Sequence, residues 1–134
     1  MRVVVDTGVF SASVSRRRRQ RFETQIALMA GNQVFLAGVT VSELRYGALV
    51  AGWDERRRER LEGSIQATTV VPVSDRLLTT IAELRFACRR SGHPLHEPVH
   101  ANDLWIAASA IHIGAALLSA DAIFANAPGL TLHA

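Results

Sequence analysis

Val3-Val4-Val5-Asp6-Thr7-Gly8 is the stretch on which the reading of this chain turns. Three β-branched residues in succession favour a short strand buried on both faces, and the acid, hydroxyl and glycine that follow read as a turn at its end. Working outward, Val34-Phe35-Leu36-Ala37-Gly38-Val39 and Thr69-Val70-Val71-Pro72-Val73 repeat the pattern. Ala116-Leu117-Leu118-Ser119 and Leu130-Thr131-Leu132 supply a fourth and a fifth candidate strand. Helical stretches over roughly 20–30, 41–51, 54–66, 75–91 and 101–113 lie between them, with Thr40 and Ser74 as N-caps. Apolar strands separated by helices imply an α/β domain whose parallel sheet is covered on both faces.

With 134 residues, 49% of them hydrophobic, the chain has material for one core, so residues 1–134 are read as one domain. Cys88 is the single cysteine, which excludes a disulfide framework and a cysteine-rich zinc site and fits a reducing, cytoplasmic setting. No run approaches the roughly 18 apolar residues of a membrane span, and Asp6 interrupts what would be the apolar part of an export signal. No membrane association is expected. All 15 basic residues are arginine. Without a lysine, neither a P-loop nor a receiver-type phosphorylation site can be built.

Four acids occupy positions where apolar segments give way to turns or helix starts: Asp6, Glu43, Asp103 and Asp121. Ligand crevices in open parallel sheets lie beyond the carboxyl ends of the strands, where Asp6 and Asp121 fall directly and Glu43 falls just after one. Asp103 must reach that edge from a helix. At 100° per residue it shares a face with Ile106, Ala107, Ala110 and Gly114, and Glu43 shares one with Tyr46, Gly47 and Val50, so both are read as pointing inward. Each acid alone has an ordinary explanation. Thr40-Val-Ser-Glu43 matches a capping box, Asp103 complements a helix dipole, and Asp6 and Asp121 suit turns or caps. Together, acids within ~5 Å of one another repel by roughly 3 kcal/mol per pair at an effective dielectric near 20, a cost that a divalent cation removes. Oxygen-only ligands favour magnesium or manganese over zinc, with bound water available as the nucleophile for phosphodiester hydrolysis.

His96-Glu97-Pro98-Val99-His100 also satisfies the H-E-x-x-H pattern of zinc peptidases. That mechanism needs both histidines on one continuous helix, and Pro98 disfavours helix at Glu97 and removes a backbone donor. His93, His96 and His100 are therefore assigned to a loop beside the site. Of two arginine-rich segments, residues 54–62 interleave acids with arginines, Arg58 can pair with Glu62, and a self-neutralised surface is expected. Arg16, Arg17, Arg18, Arg19 and Arg21 have no acid among them. Without these five, ten arginines face twelve acids, so this segment carries the whole positive excess and suits a phosphate backbone. Phe10 and Phe22 are the only aromatics nearby, so base stacking at the run is not supported.

Val-Val-Val-Asp6-Thr7, Thr40-Val-Ser-Glu43-Leu44-Arg-Tyr-Gly47, Asn102-Asp103-Leu-Trp-Ile106-Ala107-Ala108 and Leu118-Ser119-Ala-Asp121-Ala-Ile-Phe124, in this order and spacing, resemble the PIN-domain ribonucleases, in particular the VapC-type toxins of toxin–antitoxin pairs. The resemblance implies a single PIN-like domain with a five-stranded parallel sheet in the order 3-2-1-4-5. It also implies a magnesium-dependent endoribonuclease with Asp6, Glu43, Asp103 and Asp121 as the acidic quartet, supported by Thr7, Asn102 and Ser119. Asp6, Asp103 and Asp121 would hold the metal. A homodimer and a cognate antitoxin that enters the active-site groove are implied as well. Gly8 departs from the serine or asparagine frequent at its position, and the loop from Gly92 to Asn102 is longer than in many relatives. Two other functions fit the same motifs: a housekeeping PIN nuclease of RNA maturation, and a catalytically silent PIN-like module that binds RNA or a partner.

Overall fold

The computed structural model describes residues 1–133. Strands β1 (Arg2–Val5), β2 (Gln33–Leu36), β3 (Thr69–Val70) and β4 (Ala116–Leu118) form one parallel sheet in the order β3-β2-β1-β4. Helices α1 (Thr7–Ser13), α2 (Glu23–Met29), α3 (Gly38–Val50), α4 (Glu55–Gln66), α5 (Asp75–Ser91) and α6 (Ala101–Ile113) connect and cover it.

The valine run behaves as its composition dictates. Val3, Val4 and Val5 are fully buried, each contributing roughly 1.5–3 kcal/mol, and alternate side chains enter opposite cores. Val3 and Val5 pack with Val9, Phe10, Leu36, Leu44 and Leu61 on the α1, α3 and α4 side. Val4 packs with Leu84, Cys88, Leu104, Ile106 and Leu117 on the α5 and α6 side. Both faces of the central strand are thus dry.

Several expected boundaries shift. Among the described residues the sheet has four strands rather than five: beyond β4, a single parallel bridge joins Leu117 to Leu132. Asn126 and Gly129 both adopt left-handed backbone (φ 63° and 74°) on either side of Pro128, so the chain turns immediately before this pairing. Two hydrogen bonds, Leu117 N to Thr131 O and His133 N to Leu117 O, both 2.8 Å, are what remains of the fifth. Strand β3 stops before Pro72, which has no N–H to continue the ladder. Thr7-Gly8 is the first turn of α1 instead of a loop, and residues 19–22 form a 3₁₀ turn before α2. Helix α3 begins at Gly38, so Thr40 is a fully buried helical residue and not a cap. Ser74 does cap α5, accepting from Leu77 N at 3.1 Å, and Gly92 ends that helix in the left-handed conformation (φ 75°) that glycine adopts without penalty. No helix among the described residues is long and apolar enough to cross a membrane.

Candidate active site

The parallel pairing of β1 with β4 continues one step past both strands, where Asp6 N donates to Leu118 O at 3.0 Å. This brings the ends of the two strands together and sets Asp6 beside Ser119 and Asp121. Asp6 is 9% exposed, with extended backbone at the N-cap position of α1, yet its side chain makes no capping bond. Its Oδ2 instead accepts from the Ser119 hydroxyl at 2.7 Å, and Ser119 Oγ accepts in turn from Asp121 N at 3.0 Å.

A second hydrogen-bonded group completes the rim. Thr7 Oγ1 lies 2.7 Å from Glu43 Oε1 and 2.9 Å from Thr40 Oγ1. A carboxylate only accepts, so the single Thr7 proton goes to Glu43 and the Thr40 hydroxyl donates to Thr7. Asn102 Nδ2 reaches the other Glu43 oxygen at 3.3 Å. Glu43 is therefore not the acid of a capping box. It sits in the second turn of α3, and its companions Tyr46 and Val50 are each 69% exposed, so that stripe lines open space while Thr40, Val41, Leu44 and Ala48 face the core. The buried stripe expected below Glu43 is corrected accordingly, whereas Glu43 itself is half-buried and turned toward Thr7 and Asn102. Asp103, half-buried in the first turn of α6, has His100 Nδ1 3.5 Å from its Oδ2. Asp121 is exposed, and one of its oxygens accepts from Ile123 N at 3.0 Å, so a capping role is realised for half of its carboxylate.

Electrostatics tie the four acids together. Burial pushes the Asp6 carboxyl up from 3.8 to about 6, the Ser119 hydrogen bond opposes this, and the charges of Asp103 and Asp121 add to the rise. Asp103 is also raised, first by burial, then by Asp121, with Glu43 contributing and His100 opposing. Among the described residues, no three His, Cys, Asp or Glu side chains meet as a finished metal cage. Magnesium needs only one or two direct carboxylates because it keeps several waters. The donors are all oxygen and two acids are held above their ordinary range by burial and by their neighbours, the donor chemistry that a hard divalent cation takes.

From the Glu43 side of the site runs a groove of ≈ 1250 Å³, lined at one end by Thr7, Gly8 and Glu43 and farther along by Tyr46, Trp53 and arginines. Arg16, Arg17 and Arg18 line it. Arg19 donates to Ser13 O at 3.0 Å, and Arg21 lies over the Phe22 ring, so these two are engaged elsewhere. The histidine loop forms two successive 3₁₀ turns, residues 94–96 and 98–100, instead of one helix, so the peptidase geometry is not formed. His93 and His96 brace the loop through Ala125 O (2.8 Å) and His93 O (2.7 Å), leaving His100 as the histidine nearest the acids.

A family model described as PIN domain matches residues 3–130, which is nearly the whole chain. The chain belongs to the PIN domain family. A curated relative, Ribonuclease VapC5 of Mycobacterium tuberculosis, is 33% identical over 128 residues, covering 94% of this chain and 87% of the relative. Among solved structures, VapBC2 from Rickettsia felis bound to a DNA fragment from its promoter superposes with a TM-score of 0.79 at 21% identity, covering 99% of this chain and 98% of that one. FitAcB from Neisseria gonorrhoeae gives 0.75 at 21% identity, covering 98% and 96%. At these identities the structures establish the PIN fold and nothing finer. Thr40, Tyr46, Trp53, Arg57 and Arg60 are the site and groove residues that sequence reasoning passed over. The shared face of Glu43, Tyr46 and Gly47 was the one available signal for Tyr46.

Proposed function

We propose that this PIN domain is a magnesium-dependent endoribonuclease and the toxin of a toxin–antitoxin pair. The observation that carries this reading is the electrostatic linkage of Asp6, Glu43, Asp103 and Asp121 at the carboxyl edge of the sheet, where capping explains only half of one of them. The identity with a VapC ribonuclease supports RNA as substrate, and the VapBC assemblies among similar structures support an antitoxin partner. Asp6, Asp103 and Asp121 would hold the magnesium, for which manganese can substitute. Bound there, the cation supplies charge neutralisation and an acidified water for attack on phosphorus. The chain's own groups do the rest. Ser119 keeps Asp6 ionised and oriented, Thr7 and Asn102 fix the Glu43 carboxylate, and Glu43 orients the attacking water. Attack by water rather than by the ribose 2′-hydroxyl leaves a 5′-phosphate and a 3′-hydroxyl. The working unit is a homodimer in the cytoplasm, and Arg16, Arg17 and Arg18 position the RNA backbone without reading its sequence.

Asp6→Asn should abolish magnesium-dependent cleavage of single-stranded RNA while the circular dichroism spectrum stays native. Full activity in that variant removes the assignment. Expression of the wild type should arrest growth, relieved by the product of a small adjacent upstream gene; a harmless wild type with intact nuclease activity points to RNA maturation instead.

A further inference from the structure

We propose that Arg57 and Arg60 of α4, with Trp53 before it, form the second wall of an RNA channel, facing Arg16–Arg18, along which a single strand enters the acidic site. This deepens the ribonuclease reading and rests on it. The charged side chains lining the groove are five arginines, Arg16, Arg17, Arg18, Arg57 and Arg60, against one acid, Glu43, which belongs to the site itself. Such an excess on two different elements, in a groove that meets the acidic site at Thr7 and Glu43, is complementary to a polyanion and not to a neutral ligand.

Helix α4 is not a self-neutralised surface, because its acids are sorted to one side. Within the helix, Arg58 has Glu62 four residues on and Glu55 three residues back, and Arg56 has Glu59 three residues on. Arg60 has no acid at either spacing, and Arg57 has only Asp54, three residues back, whose carboxylate caps the helix by accepting from the Arg57 backbone N–H at 2.9 Å. The ion pair made by Glu62 is not with Arg58 but with Arg45 of α3 at 2.7 Å, which ties the two helices together outside the groove. Arg57 Cζ lies 4.4 Å over the Trp53 indole, a cation–π contact of the kind an arginine can keep while its N–H donors bind phosphate. Tyr46, 69% exposed, stands in the same groove. Aromatic faces among phosphate-binding arginines suit a single strand, whose bases are free to stack, whereas a duplex keeps them inside. The aromatics missing from the sequence around Arg16 thus arrive from α3 and the turn after it.

The test compares two double variants on one helix with equal charge loss, Arg57→Gln/Arg60→Gln and Arg56→Gln/Arg58→Gln. A fluorescently labelled single-stranded oligoribonucleotide is titrated by anisotropy in EDTA across a salt series, so binding is read without cleavage. The first pair should flatten the slope of log affinity against log salt by about 1.4, since each single-strand phosphate contact contributes about 0.7. The second pair should leave the slope near that of the wild type. Equal slopes for the two pairs overturn the channel. If the wild type still cleaves RNA with magnesium, the ribonuclease reading survives that result; if the wild type neither binds nor cleaves, both fall. Retained RNA binding by Arg57→Gln/Arg60→Gln together with lost capture of the co-expressed partner protein also overturns it, assigning the wall to that partner.

Discussion

Asp6 and Asp121 follow adjacent, hydrogen-bonded strands, yet they are opposite kinds of acid. Asp6 is buried, makes no cap, and is held up at about 6. Asp121 is exposed and half committed to the backbone of Ile123. A strand end alone therefore does not set an acid's burial or its proton affinity. What separates the two is depth: β1 is the inner strand, covered on both faces, and β4 lies outside it. Asp6 cannot be repaid by water for its lost solvation, which is the condition under which a cation contributes most.

The largest expected effect follows from that burial. Beyond losing cleavage, Asp6→Asn should be more stable than the wild type at neutral pH without divalent metal, because a strained carboxylate is removed. The Asp6 carboxyl titrates near 6 in the folded protein and near 3.8 when unfolded. Between these values the folded state holds more protons, so wild-type stability falls as pH rises from 4 to 6 and is level above. The lost stability is on the order of 2–3 kcal/mol. In the Asp6→Asn variant, thermal melts should lack this slope, and magnesium, which should raise the wild-type Tm at pH 7.5, should do nothing. Identical slopes would show that Asp6 is not the strained group.

Asp121→Asn should be milder. The amide can still accept from Ile123 N, so Tm should change little, but the lost charge should lower the proton affinity of both Asp6 and Asp103. Magnesium affinity, measured by calorimetry, should drop about tenfold rather than vanish. Complete loss of binding would erase the distinction between the two acids.

Much of this arrangement was legible in the sequence, and its limits are physical. The valine run, the Ser74 cap and the four acids depend on local propensity and on the topology of parallel sheets. Glu43 did not yield to the same logic, because a helical wheel says which residues share a face and not which face is buried. Tyr46 and Gly47 of that stripe line a groove, and Val50 is exposed. Glu62 pairs with Arg45 rather than Arg58, and a partner on another helix is invisible to i,i+4 spacing. The fifth strand is a single bridge among the described residues, and the left-handed backbone at Asn126 and Gly129 that precedes it has no counterpart in the apolar pattern of Leu130-Thr131-Leu132.

Ser119 joins the two acids and offers the finest test of their difference. Its hydroxyl donates to Asp6 at 2.7 Å and accepts from the Asp121 backbone at 3.0 Å, so it stabilises the ionised form of one and merely positions the other. Ser119→Ala removes a hydrogen bond to the charged form, and the Asp6 carboxyl should then titrate above its wild-type position. Magnesium requires that carboxylate deprotonated, so the acidic limb of the cleavage profile should move to higher pH. Near pH 8, where Asp6 is ionised in either protein, activity should lie within a few-fold of wild type, and near pH 6 the deficit should widen to about tenfold. A uniform loss at every pH would mean that Ser119 only holds the strand ends in place, and that the depth of Asp6 alone sets its chemistry.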